Sequence, residues 1–261
     1  MSDTTAITIR DLAIGYPARH HNHHIVGDHL HATAPSGTLT CIIGRNGTGK
    51  STLLRTIARL QTRLSGSIEI GSRDTECYSR EQLARLMSIV LTARPETDNL
   101  TVGELAALGR APYTGFWGRL SDNDREIAHR ALAMVGMESM AHRRVSSLSD
   151  GECQKAMIAK SLAQDTPIIL LDEPTAFVDF SGKVELMLLL RRLAHNEHKT
   201  ILLSTHDLET ALQTADRLWL LGDNGIDEGT PRQMADNGAI AAHIGRDDIT
   251  IKPDLSLCLN A

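Results

Sequence analysis

One glycine-rich loop limits more than any other feature what this 261-residue chain can fold into. An apolar run over residues 38–43 leads into the sequence GRNGTGKS at residues 44–51, and a segment with apolar positions Leu53, Leu54 and Ile57 follows. This is the pattern G-x-x-x-x-G-K-[ST] between a strand and a helix, where backbone N–H groups and the helix N-terminus face a phosphate. The pattern predicts an α/β domain that binds a nucleotide.

The residues of this loop have separate predicted roles. Glycines let the backbone close around a phosphate in conformations that other residues avoid. Lys50 should reach the β- and γ-phosphates, and the Ser51 hydroxyl should ligate Mg²⁺. The predicted nucleotide contacts in the loop are Gly44, Asn46, Gly47, Gly49, Lys50, Ser51 and Thr52. Taken alone, the loop is compatible with several classes of protein: a kinase, a GTPase, a helicase or a transport ATPase.

Composition and charge exclude several classes of protein. The chain is 41% hydrophobic and carries a net charge of −5, whereas general nucleic-acid binders are more often basic. It has no apolar run of about 18 residues that would span a membrane, and its first residues do not resemble a secretion signal. The four cysteines are scattered without a Cys-x-x-Cys pair, which favours a reducing cytosol.

Two further apolar runs end in groups that can act on a phosphate. The run over residues 167–171 ends in Asp172 and Glu173, which indicates a buried parallel strand that delivers carboxylates to a ligand crevice. We expect Asp172 to hold Mg²⁺ and Glu173 to polarise the attacking water as a general base. A second run, over residues 200–205, ends in His206, which is placed to contact the γ-phosphate and that water.

A short segment upstream of the Asp-Glu strand makes the prediction more specific. The sequence LSDGE at residues 148–152 resembles the signature Leu-Ser-Gly-Gly-Gln of ATP-binding cassette (ABC) proteins, with Ser149 and Gly151 in matching positions. Asp150 and Glu152 depart from that signature and place acids near a triphosphate. Ser149 is also expected to cap a helix. In the ABC family this segment binds the γ-phosphate held by a second subunit.

The resemblance extends over nearly the whole chain and implies further site residues. Tyr16 lies where the family places an aromatic ring that stacks on adenine, and Asp179 matches the loop that couples the two sites of a dimer. His206 matches the switch histidine. By spacing, Thr92 takes the place of a glutamine that ligates Mg²⁺. A threonine has a shorter reach, so Thr92 is a candidate metal ligand without the glutamine's full family role.

The same resemblance predicts the organisation of the chain. We expect one ABC ATPase domain over residues 1–261, of the P-loop NTPase fold, with a mixed central sheet, an antiparallel β subdomain near the N-terminus and an inserted α-helical subdomain. Residues 1–93 would form the β subdomain and the first part of the core, 94–150 the helical insert, and 151–261 the rest. A helix is predicted over residues 100–108, and a last strand over 249–251.

One loop of the insert resembles that of ferric-siderophore, haem and cobalamin importer ATPases. It runs from residue 109 to 121 and contains Tyr113, Trp117, Arg110 and Arg119, which we expect to form an exposed aromatic–arginine cluster at an interface. The implied partners are a second ATPase subunit, an integral-membrane permease and, through the permease, a periplasmic or surface substrate-binding protein, but no nucleic acid. The implied location is the cytoplasmic face of the inner membrane.

The resulting hypothesis is a peripheral subunit that binds ATP and Mg²⁺ and drives import of an iron chelate or cobalamin. An exporter ATPase has the same core, and only the loop over residues 110–121 argues against it. A soluble ABC ATPase of DNA repair or translation usually has a coiled-coil insert or two cassettes, which this chain lacks. A P-loop kinase would need neither the Ser149 segment nor His206.

The sequence is also rich in histidine between His20 and His31, where six of its twelve histidines lie. Such tracts can bind metal ions. The spacing does not match that of structural zinc sites, and a surface hairpin is expected at this position. A solvated loop is therefore favoured over a metal sensor.

Overall fold

The strands of the computed structural model form two main sheets and a small C-terminal one. The structure describes residues 5–17, 23–92, 99–115, 117–176, 178–245 and 249–259. Within these ranges the strands are β1 (Thr5–Tyr16), β2 (His24–Pro35), β3 (Leu39–Ile43), β4 (Ser65–Ile70), β5 (Arg73–Asp74), β6 (Met87–Val90), β7 (Ile168–Asp172), β8 (Thr200–Thr205), β9 (Arg217–Gly222), β10 (Gly225–Gly229), β11 (Ile249–Ile251) and β12 (Leu257–Leu259).

Helices pack on both faces of the central sheet and connect its strands. They are α1 (Lys50–Ile57), α2 (Arg80–Leu86), α3 (Val102–Ala107), α4 (Asp122–Met134), α5 (Asp150–Ala163), α6 (Phe180–Asn196), α7 (Leu208–Thr214), α8 (Pro231–Asp236) and α9 (Ala239–Ile244), with short 3₁₀ helices at Thr75–Cys77, Leu108–Tyr113, Glu138–Met140 and Val145–Ser147. No helix in the described ranges is long and apolar enough to cross a membrane.

The central sheet brings the predicted catalytic strands together. Its strand order is β10-β9-β3-β8-β7-β6, and all neighbours are parallel except β10, which pairs antiparallel with β9. The predicted mixed sheet is therefore confirmed. Because the carboxyl ends of parallel strands meet at one edge, the residues that follow β3, β7 and β8 share that edge.

The central strands are mostly apolar because both of their faces are buried. Along β3, Leu39, Cys41 and Ile43 pack with the helices of the insert and of the chain's second half, whereas Ile42 packs with α1 and the N-terminal sheet. The alternation has the two-residue period of a strand. Complete burial also raises the pKa of the Cys41 thiol.

The N-terminal antiparallel sheet covers the second face of the core. Its order is β2-β1-β4-β5, which confirms the predicted antiparallel β subdomain. The buried indole of Trp219 joins the two sheets by donating its Nε1–H to the carbonyl oxygen of Thr33, at 3.2 Å. The sheet ends in Tyr16, beside the glycine-rich loop.

Capping boxes set the starts of the helices between β6 and β7. Thr101 caps α3 with Glu104, Ser121 caps α4 with Asp124, and Ser149 caps α5 with Glu152. The predicted helix over residues 100–108 is confirmed as α3. The predicted strand at residues 249–251 is confirmed as β11, and its antiparallel partner β12 was not anticipated.

The expectation of an exposed aromatic–arginine cluster at residues 110–119 is wrong for Arg110. Its guanidinium is buried, donates to Asp124 Oδ1 and to the carbonyl oxygen of Ala163, both at 2.9 Å, and lies over the Tyr113 ring. Burial here needs a partner for the charge, and Asp124 supplies it. Trp117 is 82% exposed, as expected. Phe116, in the same loop, lies outside the described residues.

Replacing Asp124 with Asn should destabilise the protein, because it leaves the buried Arg110 cation without its carboxylate. We expect a melting temperature lower by on the order of 5–10 °C. Bonds from Ser121, followed by Arg110, lower the pKa of Asp124 to about 2. The stabilisation is thus present above the carboxyl's ordinary pKa and is lost as pH falls toward 2.

The matched control is Asp122→Asn, in the same helical turn, whose side chain is fully exposed. Thermal denaturation of both variants between pH 6 and pH 2 checks the prediction. Equal melting temperatures for the two variants at pH 6 would contradict it.

Candidate functional site

The glycine-rich loop runs from the end of β3 into α1 and depends on conformations that favour glycine. Gly47 and Gly49 have φ angles of +86° and +98°, and Gly49 is the residue that caps α1. A Cβ added at Gly44 would lie 2.9 Å from the carbonyl oxygen of Leu221 in β9. These backbone requirements explain the glycines without reference to a ligand, and they shape the loop to receive one.

Lys50 lies across the inside of this loop. Its ammonium is 5% exposed and donates to the carbonyl oxygens of Gly44 at 2.8 Å and Arg45 at 3.2 Å. It also lies 3.7 Å from Glu173 Oε1. A cation held inside the loop favours binding of an anion at the same place.

A buried carboxylate connects the loop to the edge of the sheet where β7 and β8 end. Asp172, at the end of β7, is 2% exposed, and its Oδ1 accepts hydrogen bonds from Ser51 Oγ at 2.7 Å and Ser204 Oγ at 2.8 Å. Ser204 in turn accepts a hydrogen bond from the Glu173 N–H, at 2.9 Å. One hydroxyl thus positions both acids.

The sequence analysis did not anticipate the role of Ser204. This residue is a fully buried polar group near the end of β8, and it lies directly opposite Asp172 in the register of the two strands. Buried hydroxyls need hydrogen-bonding partners. A serine at the level of the acid in the neighbouring strand was the available signal.

Glu173 and His206 are brought together as predicted. Glu173 Oε2 lies 3.4 Å from His206 Nδ1, while its other oxygen faces Lys50. The Glu173 backbone has a φ of +46°, a strained conformation for a residue with a side chain. In this conformation the carboxylate lies between Lys50 and His206.

Thr92 and Tyr16 contact different parts of this site. Thr92 Oγ1 donates to the main-chain oxygen of Asp172 at 2.9 Å, so the hydroxyl lies beside the acid's backbone. The Tyr16 hydroxyl is 3.4 Å from Thr52 Oγ1 in α1, and its half-exposed ring stacks loosely with His24. Tyr16 is therefore held beside the start of α1, next to the glycine-rich loop.

The remaining predicted residues form a second group. Ser149 caps α5, Asp179 caps α6 by accepting the Gly182 N–H at 2.8 Å, and Gly151 faces the side chain of Val178. Both helix starts are thus adjacent. Each offers the first turn of a helix, where N–H groups can bind an anion.

The described part of the histidine-rich tract contains no metal centre. His29 bonds to Asp11 Oδ1 at 2.7 Å, and this bond, with the charge of Asp28, raises the pKa of His29. No group of three or more His, Cys, Asp or Glu in the described ranges is arranged to hold a metal ion. His20 and His21 lie outside those ranges.

Comparison with known proteins shows the family. Residues 28–176 match the family model of the ABC transporter. The achromobactin transport ATP-binding protein CbrD of Dickeya dadantii is 36% identical over 96% of this chain and 91% of its own length. The iron(3+)-hydroxamate import ATP-binding protein FhuC of Bacillus subtilis is 36% identical over 79% of this chain and 75% of its own. A cobalamin import ATP-binding protein, BtuD of Halobacterium salinarum, is 34% identical over 82% of this chain and 54% of its own length.

Solved structures agree with this result. A dimeric structure of a bacterial ABC transporter cassette superposes with a TM-score of 0.75 at 26% identity and covers 87% of this chain and 99% of its own. The chain belongs to the ABC transporter family, and it is an ATP-binding subunit of that family. The nucleotide expected at the glycine-rich loop is therefore ATP.

Ser204→Ala should lower ATP turnover, because Asp172 loses a donor and the Glu173 N–H is left buried without an acceptor. We expect a fall in kcat of about tenfold or more. The control is Ser161→Ala, which removes another buried hydroxyl, bonded to Ser88 in the helix–sheet interface. Steady-state ATPase rates, normalised to folded protein, compare the two. Equal loss in both variants would argue against a role for Ser204 at the site.

Proposed function

We propose that this chain hydrolyses ATP as one of two facing copies and that hydrolysis drives an importer in the membrane. The observation that carries the proposal is the convergence of Lys50, Ser51, Asp172, Glu173 and His206 at one edge of the sheet. Binding of ATP would place its β- and γ-phosphates against the Lys50 ammonium and the loop N–H groups. Tyr16 would stack on the adenine.

The oxygens beside Lys50 fit a hard divalent cation. Ser51 Oγ and the Asp172 carboxylate lie 2.7 Å apart, and Thr92 Oγ1 lies beside the Asp172 backbone. Oxygen ligands of this kind suit Mg²⁺, which usually keeps several waters. When bound, Mg²⁺ neutralises charge on the β- and γ-phosphates. Ser51 and Asp172 would hold it, with Thr92 as a further candidate.

Hydrolysis would depend on Glu173 and His206. Glu173 would accept the proton of the attacking water, and Lys50, 3.7 Å away, would hold the carboxylate close to the γ-phosphate. His206, half exposed on its outer side, would hold the water and the γ-phosphate in line with Glu173. This arrangement is one of orientation and charge, as phosphoryl transfer requires.

The second group of residues is the reason to propose a dimer. Ser149 and Gly151 offer a helix start to a phosphate, and Asp179 lies next to them. In a head-to-tail pair, the segment 149–152 of one copy would close over the ATP bound at residues 44–52 of the other. The cassette of 26% identity is dimeric, which supports a pair of copies. Loss of the γ-phosphate would remove the shared contacts and open the pair.

The relatives support an import function and suggest the cargo. They are named for achromobactin transport, iron(3+)-hydroxamate import and cobalamin import. We therefore favour import of an iron chelate or cobalamin over export. The chain would lie on the cytoplasmic face of the membrane, bound to permease subunits and, through them, served by a substrate-binding protein. The exposed Trp117 is a candidate contact with the permease.

Glu173→Gln should abolish turnover and stabilise the ATP-bound dimer, because the amide cannot accept the proton while the nucleotide contacts remain. We expect kcat to fall by roughly 10²- to 10⁴-fold. ATPase assays and gel filtration with ATP check both effects. The control is Glu209→Gln, on the exposed start of α7. Rapid hydrolysis by Glu173→Gln would exclude Glu173 as the base.

Purification of the tagged chain from detergent-solubilised membranes tests the transport function. Mass spectrometry should identify a polytopic permease in equal copy number, and that permease would lead to the cargo. A chain that stays in the soluble fraction without a membrane partner would contradict transport and favour a soluble ABC ATPase.

A further inference from the structure

The segment proposed to meet the partner's γ-phosphate carries an acid in its first helical turn. Glu152 is the third residue of α5, and its Oε2 accepts from the Ser149 N–H at 2.8 Å and from Ser149 Oγ at 3.0 Å. The carboxylate thus occupies the same helix start that would bind the phosphate. A second acid, Asp150, is exposed in the same turn. The negative charges of these two acids would repel a triphosphate bound at the helix start and weaken its binding.

One arginine lies against this acid. Arg143 Nη1 is 3.2 Å from Glu152 Oε1, the oxygen that the capping box leaves available. Arg143 Nη2 donates to the carbonyl oxygen of Ser147 at 2.9 Å. The guanidinium therefore joins the turn before the signature segment to the first turn of α5, and it places a positive charge beside Glu152.

The neighbouring backbone holds Arg143 in position. Its N–H donates to the Met140 carbonyl oxygen, and its own carbonyl oxygen accepts the Val102 N–H, both at 2.9 Å. The adjacent Arg144 points elsewhere, since its Nη1 lies 3.3 Å from Asn99 Oδ1. Hydrogen bonds from Ser149, followed by the charge of Arg143, lower the pKa of Glu152, so this carboxyl is ionised at neutral pH.

We propose that Arg143 is a positioning residue for the shared nucleotide site. It draws the Glu152 carboxylate back against α5 and balances its charge, so that Ser149 and the first-turn N–H groups can meet the phosphate bound to the second copy. This inference rests on the proposed function, in which the segment 149–152 completes that site. Arg143 itself need not touch ATP.

The experiment is a double-mutant cycle on the KM for ATP. Arg143→Gln should raise KM about fivefold to tenfold, with a smaller change in kcat, because the Glu152 charge then opposes the γ-phosphate. In the Glu152→Gln background, which keeps the capping box but removes the charge, Arg143→Gln should change KM by less than about twofold. Arg144→Gln, which removes the same charge one residue away, should leave KM unchanged.

A purely structural role for Arg143 predicts a different result. Arg143→Gln removes the bond to Ser147 both alone and together with Glu152→Gln. A KM for ATP that stays high in the double variant would therefore overturn the proposal. Equal effects of Arg143→Gln and Arg144→Gln would also overturn it. If Arg143→Gln does not fold, as judged by circular dichroism, Arg143→Met keeps the apolar stem and should give the same pattern.

The unsubstituted chain separates this inference from the proposed function. Suppose that it hydrolyses ATP and that its Glu173→Gln variant forms an ATP-dependent dimer. A KM for ATP that does not change across the double-mutant cycle then contradicts only the role of Arg143. If neither occurs, the proposed function fails, and the inference that rests on it fails too.

Discussion

The Asp172 carboxylate is buried at the carboxyl end of a central strand, and the rest of the site depends on how it is held. A buried charge is costly unless hydrogen bonds satisfy it. Ser51 and Ser204 provide these bonds from the glycine-rich loop and from the neighbouring strand. The same contacts fix the loop relative to β7 and, through Ser204, fix the backbone of Glu173. Folding of the sheet therefore also brings Ser51, Asp172 and Glu173 together.

In the proposed dimer, the subunit presents two incomplete surfaces for one ligand. The first is the cationic loop with its acids, and the second is the pair of capped helix starts at Ser149 and Asp179. Acids in the second surface would repel a triphosphate unless their charge is balanced. The Arg143–Glu152 ion pair would balance the charge of Glu152. On this account, ATP joins the two copies because neither surface can enclose it alone.

Local patterns predicted most of the fold and of the site. The glycine-rich loop, the apolar strands and the capped helices are specified by short segments, and the structure confirms them. Contacts between residues far apart in sequence were harder to predict from the sequence. The burial of Arg110 depends on Asp124 and on a carbonyl in α5, and the role of Ser204 depends on its register with Asp172. The strained backbone of Glu173 leaves no mark in the sequence beyond the acid itself.

Cross-linking between two copies tests the shared site most directly. One preparation carries Asn46→Cys and the other Asp150→Cys, both in a Glu173→Gln chain whose Cys77 and Cys258 are replaced by serine. We expect a short bismaleimide cross-linker, whose two maleimide groups each add one cysteine thiolate, to join the mixed preparations into a covalent dimer with ATP and much less with ADP. We also expect little product from either preparation alone. Absence of an ATP-dependent mixed dimer would contradict a nucleotide site completed by the second copy.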